Sequence, residues 1–182
     1  MTARSLQEKT TLIGSAEIER IIARLAHQIV EPQDAQRGLF LMGVRRGGEA
    51  LAIRLAEKIK KMTGTQPPLG FLNINLYRDD DVSHEMPDSV IPSDVNGKTV
   101  VLVDDVLYTG RTIRSALDAV TDLGRPGAIR LCVLIDRGLR ELPVQADYAG
   151  RTIATAPEQR VAVTLGRQPS ETDEVSILAG AS

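Results

Sequence analysis

The apolar positions of the chain fall into two periodicities that take turns. Ile18, Ile21, Ile22, Leu25 and Ile29 recur at helical spacing and form one stripe, so the first element is predicted to be a helix. Ser15 stands at its start as a prospective cap, with Glu17 and Glu19 suited to the positive end of its dipole. Gly38 to Val44 is a short apolar run between glycines, the pattern of a buried strand. A second helix is predicted to follow, with Leu51, Leu55, Ile59 and Met62 on one face and Gly64 as its stop. Leu69 to Tyr77 alternates loosely and reads as a strand. Val100 to Val103 is continuously apolar. A helix from about Thr112 then turns Ile113, Ala116, Leu117 and Val120 inward and ends at Gly124 and Pro126. Ala128 to Ile135 is the next buried strand, followed by shorter strand candidates at Arg151 to Ala154, Arg160 to Leu165 and Glu174 to Leu178.

Strands that are apolar throughout, alternating with helices, predict an α/β fold with a parallel sheet covered on both faces. At 182 residues the chain reads as a single domain, 1–182. The stretch from Arg78 to Lys98 is polar, acidic and broken by Pro87 and Pro92; loops that long are usually functional or disordered. For Asp79, Asp80 and Asp81 a solvated acidic loop is the simplest reading. The polar tail after Leu165 is expected to fray.

Charge and composition narrow the function classes. A net charge of -2 argues against nucleic-acid binding over the whole surface and leaves room only for a local basic patch. Arg20, Arg24 and His27 lie opposite the apolar stripe of the first helix and make one such patch; Arg137, Arg140 and Arg151 are candidates to extend it. Aromatic residues, at 3%, are too scarce for base stacking to be the main recognition mode. The lone cysteine, Cys132, sits inside an apolar run and reads as a buried thiol, which fits a reducing compartment. Met1 to Ser5 lacks the core of a signal peptide, and no apolar run nears the ~20 residues of a membrane span. The expectation is a cytoplasmic protein with no membrane contact.

The chemistry concentrates in Val100-Val101-Leu102-Val103-Asp104-Asp105-Val106-Leu107-Tyr108-Thr109-Gly110-Arg111-Thr112. A buried strand ends in two carboxylates, and a short loop leads into a helix, which is where open parallel sheets bind ligands. Gly110 allows close backbone approach, the amides at the helix start point at an anion, and Thr109, Thr112 and Arg111 add donors. Asp104 and Asp105 would repel phosphate but accept hydrogen bonds from a ribose diol. Phosphate at one end and sugar hydroxyls at the other describe a ribose 5-phosphate. Neither a Walker A loop nor the Rossmann glycine triplet is present. His27 and His84, the only histidines, lie in no recognisable triad.

This segment resembles the phosphoribosyl pyrophosphate signature of type I phosphoribosyltransferases. Asn73 to Asp80, Asp136 to Pro143 and Ala146-Asp147-Tyr148 extend the resemblance to the pyrimidine operon regulatory (PyrR) family, over nearly the whole chain to about Val163. The resemblance implies the type I fold, with a small flexible hood at about 78–98, and a homodimer or homotetramer. It implies transfer of ribose 5-phosphate from phosphoribosyl pyrophosphate to uracil, giving UMP, through an oxocarbenium-like transition state. Arg45-Arg46-Gly47 then occupies the place of the pyrophosphate loop, which in the family often contains a non-proline cis peptide, and Arg46 is the leading candidate there. Arg78 on the hood would reach the leaving group, and Mg²⁺ would be held mainly by substrate and water. Asp136 and Arg137 mark the region of the base, or else an ordinary ion pair at a strand end. The family also implies binding of a stem-loop in pyrimidine operon mRNA, favoured by UMP, although Ala23 and Gln145 stand where it carries threonine and arginine. Donor motifs are shared across bases, so a purine base stays open on the residues alone, as does a nucleotide-sensing regulator with little catalysis.

Overall fold

A strand that is covered on both faces can carry only apolar side chains, and that constraint orders most of this chain. The computed structural model describes residues 9–31, 38–74 and 89–179. Its elements run β1 (Lys9–Gly14), α1 (Ser15–Val30), β2 (Leu39–Val44), α2 (Gly48–Thr63), β3 (Leu69–Leu72), β4 (Thr99–Leu107), α3 (Arg111–Leu123), β5 (Ala128–Asp136), β6 (Tyr148–Thr152), β7 (Arg160–Thr164) and β8 (Glu174–Leu178). Five strands form a parallel sheet in the order β3-β2-β4-β5-β6, with β4 at its centre.

Alternate residues of the central strands supply two cores. Val101 and Val103 face Leu25, Leu51, Leu55 and the rest of α1 and α2. Val100 and Leu102 face Ile113, Ala116 and Val120 of α3. Gly64 closes α2 in the left-handed conformation at φ 77°, its amide donating to the Lys60 carbonyl. Met62, expected inside, is 38% exposed, and Ile59 is the last buried position of α2. Cys132 is fully buried, and burial pushes its thiol above the ordinary range.

Beside this sheet lies a second one, antiparallel, in the order β1-β8-β7. Ile13, Val161 and Val175 are buried in the core shared by α1 and α2, and Val163 packs against it. Two expectations change as a result. The tail does not fray through Ala179, since β8 is the middle strand of this sheet and Val175 and Ser176 are buried. Ser15 does not cap α1. Gly14 still pairs with Glu174 in the β-ladder and occupies the cap position, so Ser15 becomes the first helical residue.

An ion-pair network adds to the apolar attachment of the small sheet. Arg54, only 2% exposed on α2, donates to Asp173 at 2.6 Å and to Glu19 of α1. Asp173 also accepts the amides of Gly166 and Ser170, which shapes the β7–β8 turn. Burial would raise the pKa of Asp173 and of Glu19. The donors outweigh it, chiefly Gly166 N–H and Arg54 for Asp173 and Arg54 with Lys58 for Glu19, and hold both below the usual carboxylate range.

Candidate active site

Asp104 and Asp105 are held inside the ladder. β4 stays extended to Leu107 because it pairs with β5 along its length, Asp104 beside Val133 and Leu107 beside Asp136. The chain then turns through Tyr108 and Thr109 to Gly110, whose φ of 95° suits glycine, and α3 begins at Arg111, whose amide donates to Thr109 Oγ1 at 3.4 Å. A cavity of about 270 Å³ opens here, lined by Asp104 and by Val106 to Ile113. Its lining combines the start of α3 with the Asp104 carboxylate. Arg111 is among the residues lining it, and its Nε pairs with Glu141 at 2.7 Å.

The two carboxylates are oriented by backbone. Asp104 Oδ1 accepts the Asp105 amide at 3.0 Å, and Asp105 Oδ1 accepts the Val106 amide at 2.7 Å. Burial pushes the Asp104 pKa well up, and the neighbouring Asp105 charge pushes it further. Burial raises Asp105 as well, against the hydrogen bond from Val106. Such a pair is costly in the folded chain and is suited to a ligand that brings hydroxyl donors.

The turn after β2 lies directly against this pair. The Arg45–Arg46 peptide is cis. A Cβ on Gly47 would overlap the Asp105 carboxyl, and one on Gly48 would overlap the Val103 carbonyl, so both positions need glycine for close approach. Gly48 was not singled out from the sequence; the doubled glycine at a strand-to-helix junction is the signal that could have found it. The Arg45 side chain is 10% exposed; its Nε is buried without a hydrogen-bond partner, with Glu49 at 3.9 Å and the Phe71 ring at 5.7 Å. Arg46 is exposed. Arg78, the hood candidate, lies outside the described residues, as do Asn75 to Asp80 of the resemblance and His84. The described end of the hood stretch lies along the sheet edge, where Val90 bridges Phe71.

Asp136 and Arg137 do not pair with each other. Asp136 binds Arg140 at 2.7 Å and accepts the Gly138 amide. Arg137, 6% exposed, turns the other way: it donates to Thr155 Oγ1 and to the carbonyls of Ala156 and Gln159, and its guanidinium stacks on the Tyr108 ring at 4.0 Å. Of the two base-region candidates, Arg137 supports the rim of the cavity through Tyr108.

The basic candidates divide as well. Arg20, Arg24 and His27 are exposed on α1. Arg24 donates to the Gly150 carbonyl of β6, and the adjacent Arg151 pairs with Glu17 at 2.5 Å, so these groups share one surface. Arg140 does not join them, because its guanidinium is directed at the end of β4.

A family model described as "Phosphoribosyl transferase domain" matches residues 12–166. The chain is 47% identical to the Bifunctional protein PyrR of Chloroflexus aurantiacus over 175 residues, which is 94% of this chain and 96% of that one. It is 48% identical to the Bifunctional protein PyrR of Pelotomaculum thermopropionicum over 163 residues, 87% and 90% of the two chains. Among solved structures it is similar to a hypoxanthine-guanine phosphoribosyltransferase from Bacillus anthracis, with a TM-score of 0.67 and 22% identity over 96% of this chain and 99% of the other.

Proposed function

The chain belongs to the phosphoribosyltransferase family, in its PyrR branch, and from that membership we propose that it transfers ribose 5-phosphate from phosphoribosyl pyrophosphate to uracil, releasing UMP and pyrophosphate. The observation that carries this reading is the cavity lined by the start of α3 and by the buried Asp104 carboxylate, with Asp105 next to Asp104 on β4. The amides at that helix start take the 5-phosphate, with Thr109 and Thr112 hydroxyls beside them. The carboxylates accept hydrogen bonds from the ribose diol. Arg45, Arg46 and Gly47 face the pyrophosphate, and Arg78 is the further candidate for it. Transfer through an oxocarbenium-like state needs no protein nucleophile, so the residues act by positioning the donor and by stabilising departing charge.

Magnesium fits this donor set as an ion held mainly by substrate and water. Asp104 and Asp105 are hard oxygen donors, yet no group of three or more His, Cys, Asp or Glu gathers among the described residues. Bound with the donor, the ion supplies positive charge to the leaving pyrophosphate. Uracil lies beyond Tyr108, toward Asp136 and Arg137.

The test offers phosphoribosyl pyrophosphate and magnesium with uracil, hypoxanthine, guanine or orotate in turn. UMP from uracil alone is expected, and Asp105→Asn should lower kcat/KM by about 100-fold or more. A purine nucleotide would overturn the base, and near-normal Asp105→Asn would overturn the diol assignment.

A second activity of the same chain is regulatory: binding of a pyrimidine operon mRNA stem-loop, favoured by UMP, by a homodimer or homotetramer. The joined surface of Arg20, Arg24, His27 and Arg151 supports it, since phosphate contacts dominate such affinity. Stem-loop binding should tighten with UMP and weaken several-fold in Arg20→Ala/Arg24→Ala; indifference to both changes would remove α1 from the RNA face.

A further inference from the structure

Arg140 is fully committed to protein acceptors. Its Nε donates to the Val144 carbonyl at 2.9 Å, Nη2 to Asp136 at 2.7 Å, and Nη1 to the carbonyls of Tyr108 at 2.9 Å and Gly138 at 3.0 Å. The neighbouring main chain continues the pattern. Arg137 N–H donates to the Leu107 carbonyl at 3.1 Å, and the amides of Glu141 and Leu142 donate to Thr109 at 3.0 and 3.1 Å. Val144 packs on Gly110, where a Cβ would meet it at 3.2 Å. Three successive carbonyls of the turn between β4 and α3 are thus bound from one side by the segment 137–142.

In a trans peptide the carbonyl and the following N–H point in opposite directions. Fixing the carbonyls of Leu107, Tyr108 and Thr109 toward this collar therefore turns the amides of Tyr108, Thr109 and Gly110 away from it. The collar is itself held in an unusual backbone. Leu139 has φ 56°, a left-handed conformation that costs a branched residue about 1–2 kcal/mol and persists where its surroundings over-determine it. That turn is what brings Arg140 back under the loop.

We propose that Arg140 is a positioning residue for the 5-phosphate subsite, acting through the loop carbonyls without touching substrate. This rests on the reading that the loop takes the phosphate of ribose 5-phosphate. Arg140→Ala and Arg140→Lys are to be titrated calorimetrically with ribose 5-phosphate and, separately, with inorganic pyrophosphate, which uses the loop at Arg45 to Gly47. The expected result is a Kd for ribose 5-phosphate raised about 10- to 100-fold in Arg140→Ala. A smaller loss is expected in Arg140→Lys, whose point charge keeps Asp136 but cannot span the carbonyls. Pyrophosphate affinity and kcat should change less than about threefold, and added guanidinium should recover part of the loss. An unchanged ribose 5-phosphate Kd, or an equal loss of pyrophosphate affinity, overturns the assignment. If Arg140→Ala does not fold, the ratio of the two ligand affinities in Arg140→Lys decides by the same criterion. Failure of the parent protein to bind ribose 5-phosphate would instead refute the phosphate-loop reading.

Discussion

A carboxyl group as deeply buried as Asp104 favours its neutral form, and its charge works against folding. Because its folded pKa lies well above its usual value, the cost is absent below about pH 4, where folded and unfolded chains are both protonated, and grows as pH rises above that. Asp104→Asn keeps the shape and removes the charge. At pH 7 it should stabilise the protein by about 1 kcal/mol or more, which is about 2–4 °C in Tm at this chain length. It should also lose affinity for ribose 5-phosphate. The gain in Tm should shrink as pH is lowered to 4; a gain independent of pH would mean that burial of charge is not its source. Glycine at 47 and 48 belongs to the same trade, giving up backbone entropy so that the cis turn can reach the carboxylates.

Between elements, the decisive contact is Arg54 with Asp173 and Glu19. It joins α2 to α1 and to the β7–β8 turn, and the apolar contacts of the small sheet are few. Removing one partner leaves a buried charge uncompensated, so Arg54→Met should cost about 3–5 kcal/mol in urea denaturation. A cost below about 1 kcal/mol would show the sheet to be held by Ile13, Val161 and Val175 instead. Neither Arg54 nor β1 was legible in the sequence. Arg54 lies between apolar neighbours on a helix face whose pattern says nothing of what will cover it. β1 buries a single residue, Ile13, and Lys9 to Leu12 carry no strand signature without the partner that supplies their hydrogen bonds.

At the scale of the whole molecule, the parallel sheet was readable because each inner strand must be apolar on both faces, and β2, β4 and β5 announce themselves by that alone. The turn from β4 into α3 was readable because an apolar strand ends in two acids and is followed by a glycine, which the fold holds at φ 95° before Arg111 opens the helix. What depended on partners far along the chain was not. Arg140 reads only as a basic residue in the sequence, and folding alone turns it toward the carbonyls of β4's end. The small sheet is the extreme case: Lys9 stands opposite Leu178. Synthesis proceeds from one end at about 5–20 residues per second, so β1 leaves the ribosome on the order of ten to thirty seconds before β8 exists to receive it. Through that interval β2, β4 and β5 can assemble around α2 and α3, and β1 must wait as an unpaired strand. The strand made first is among the last to find its place.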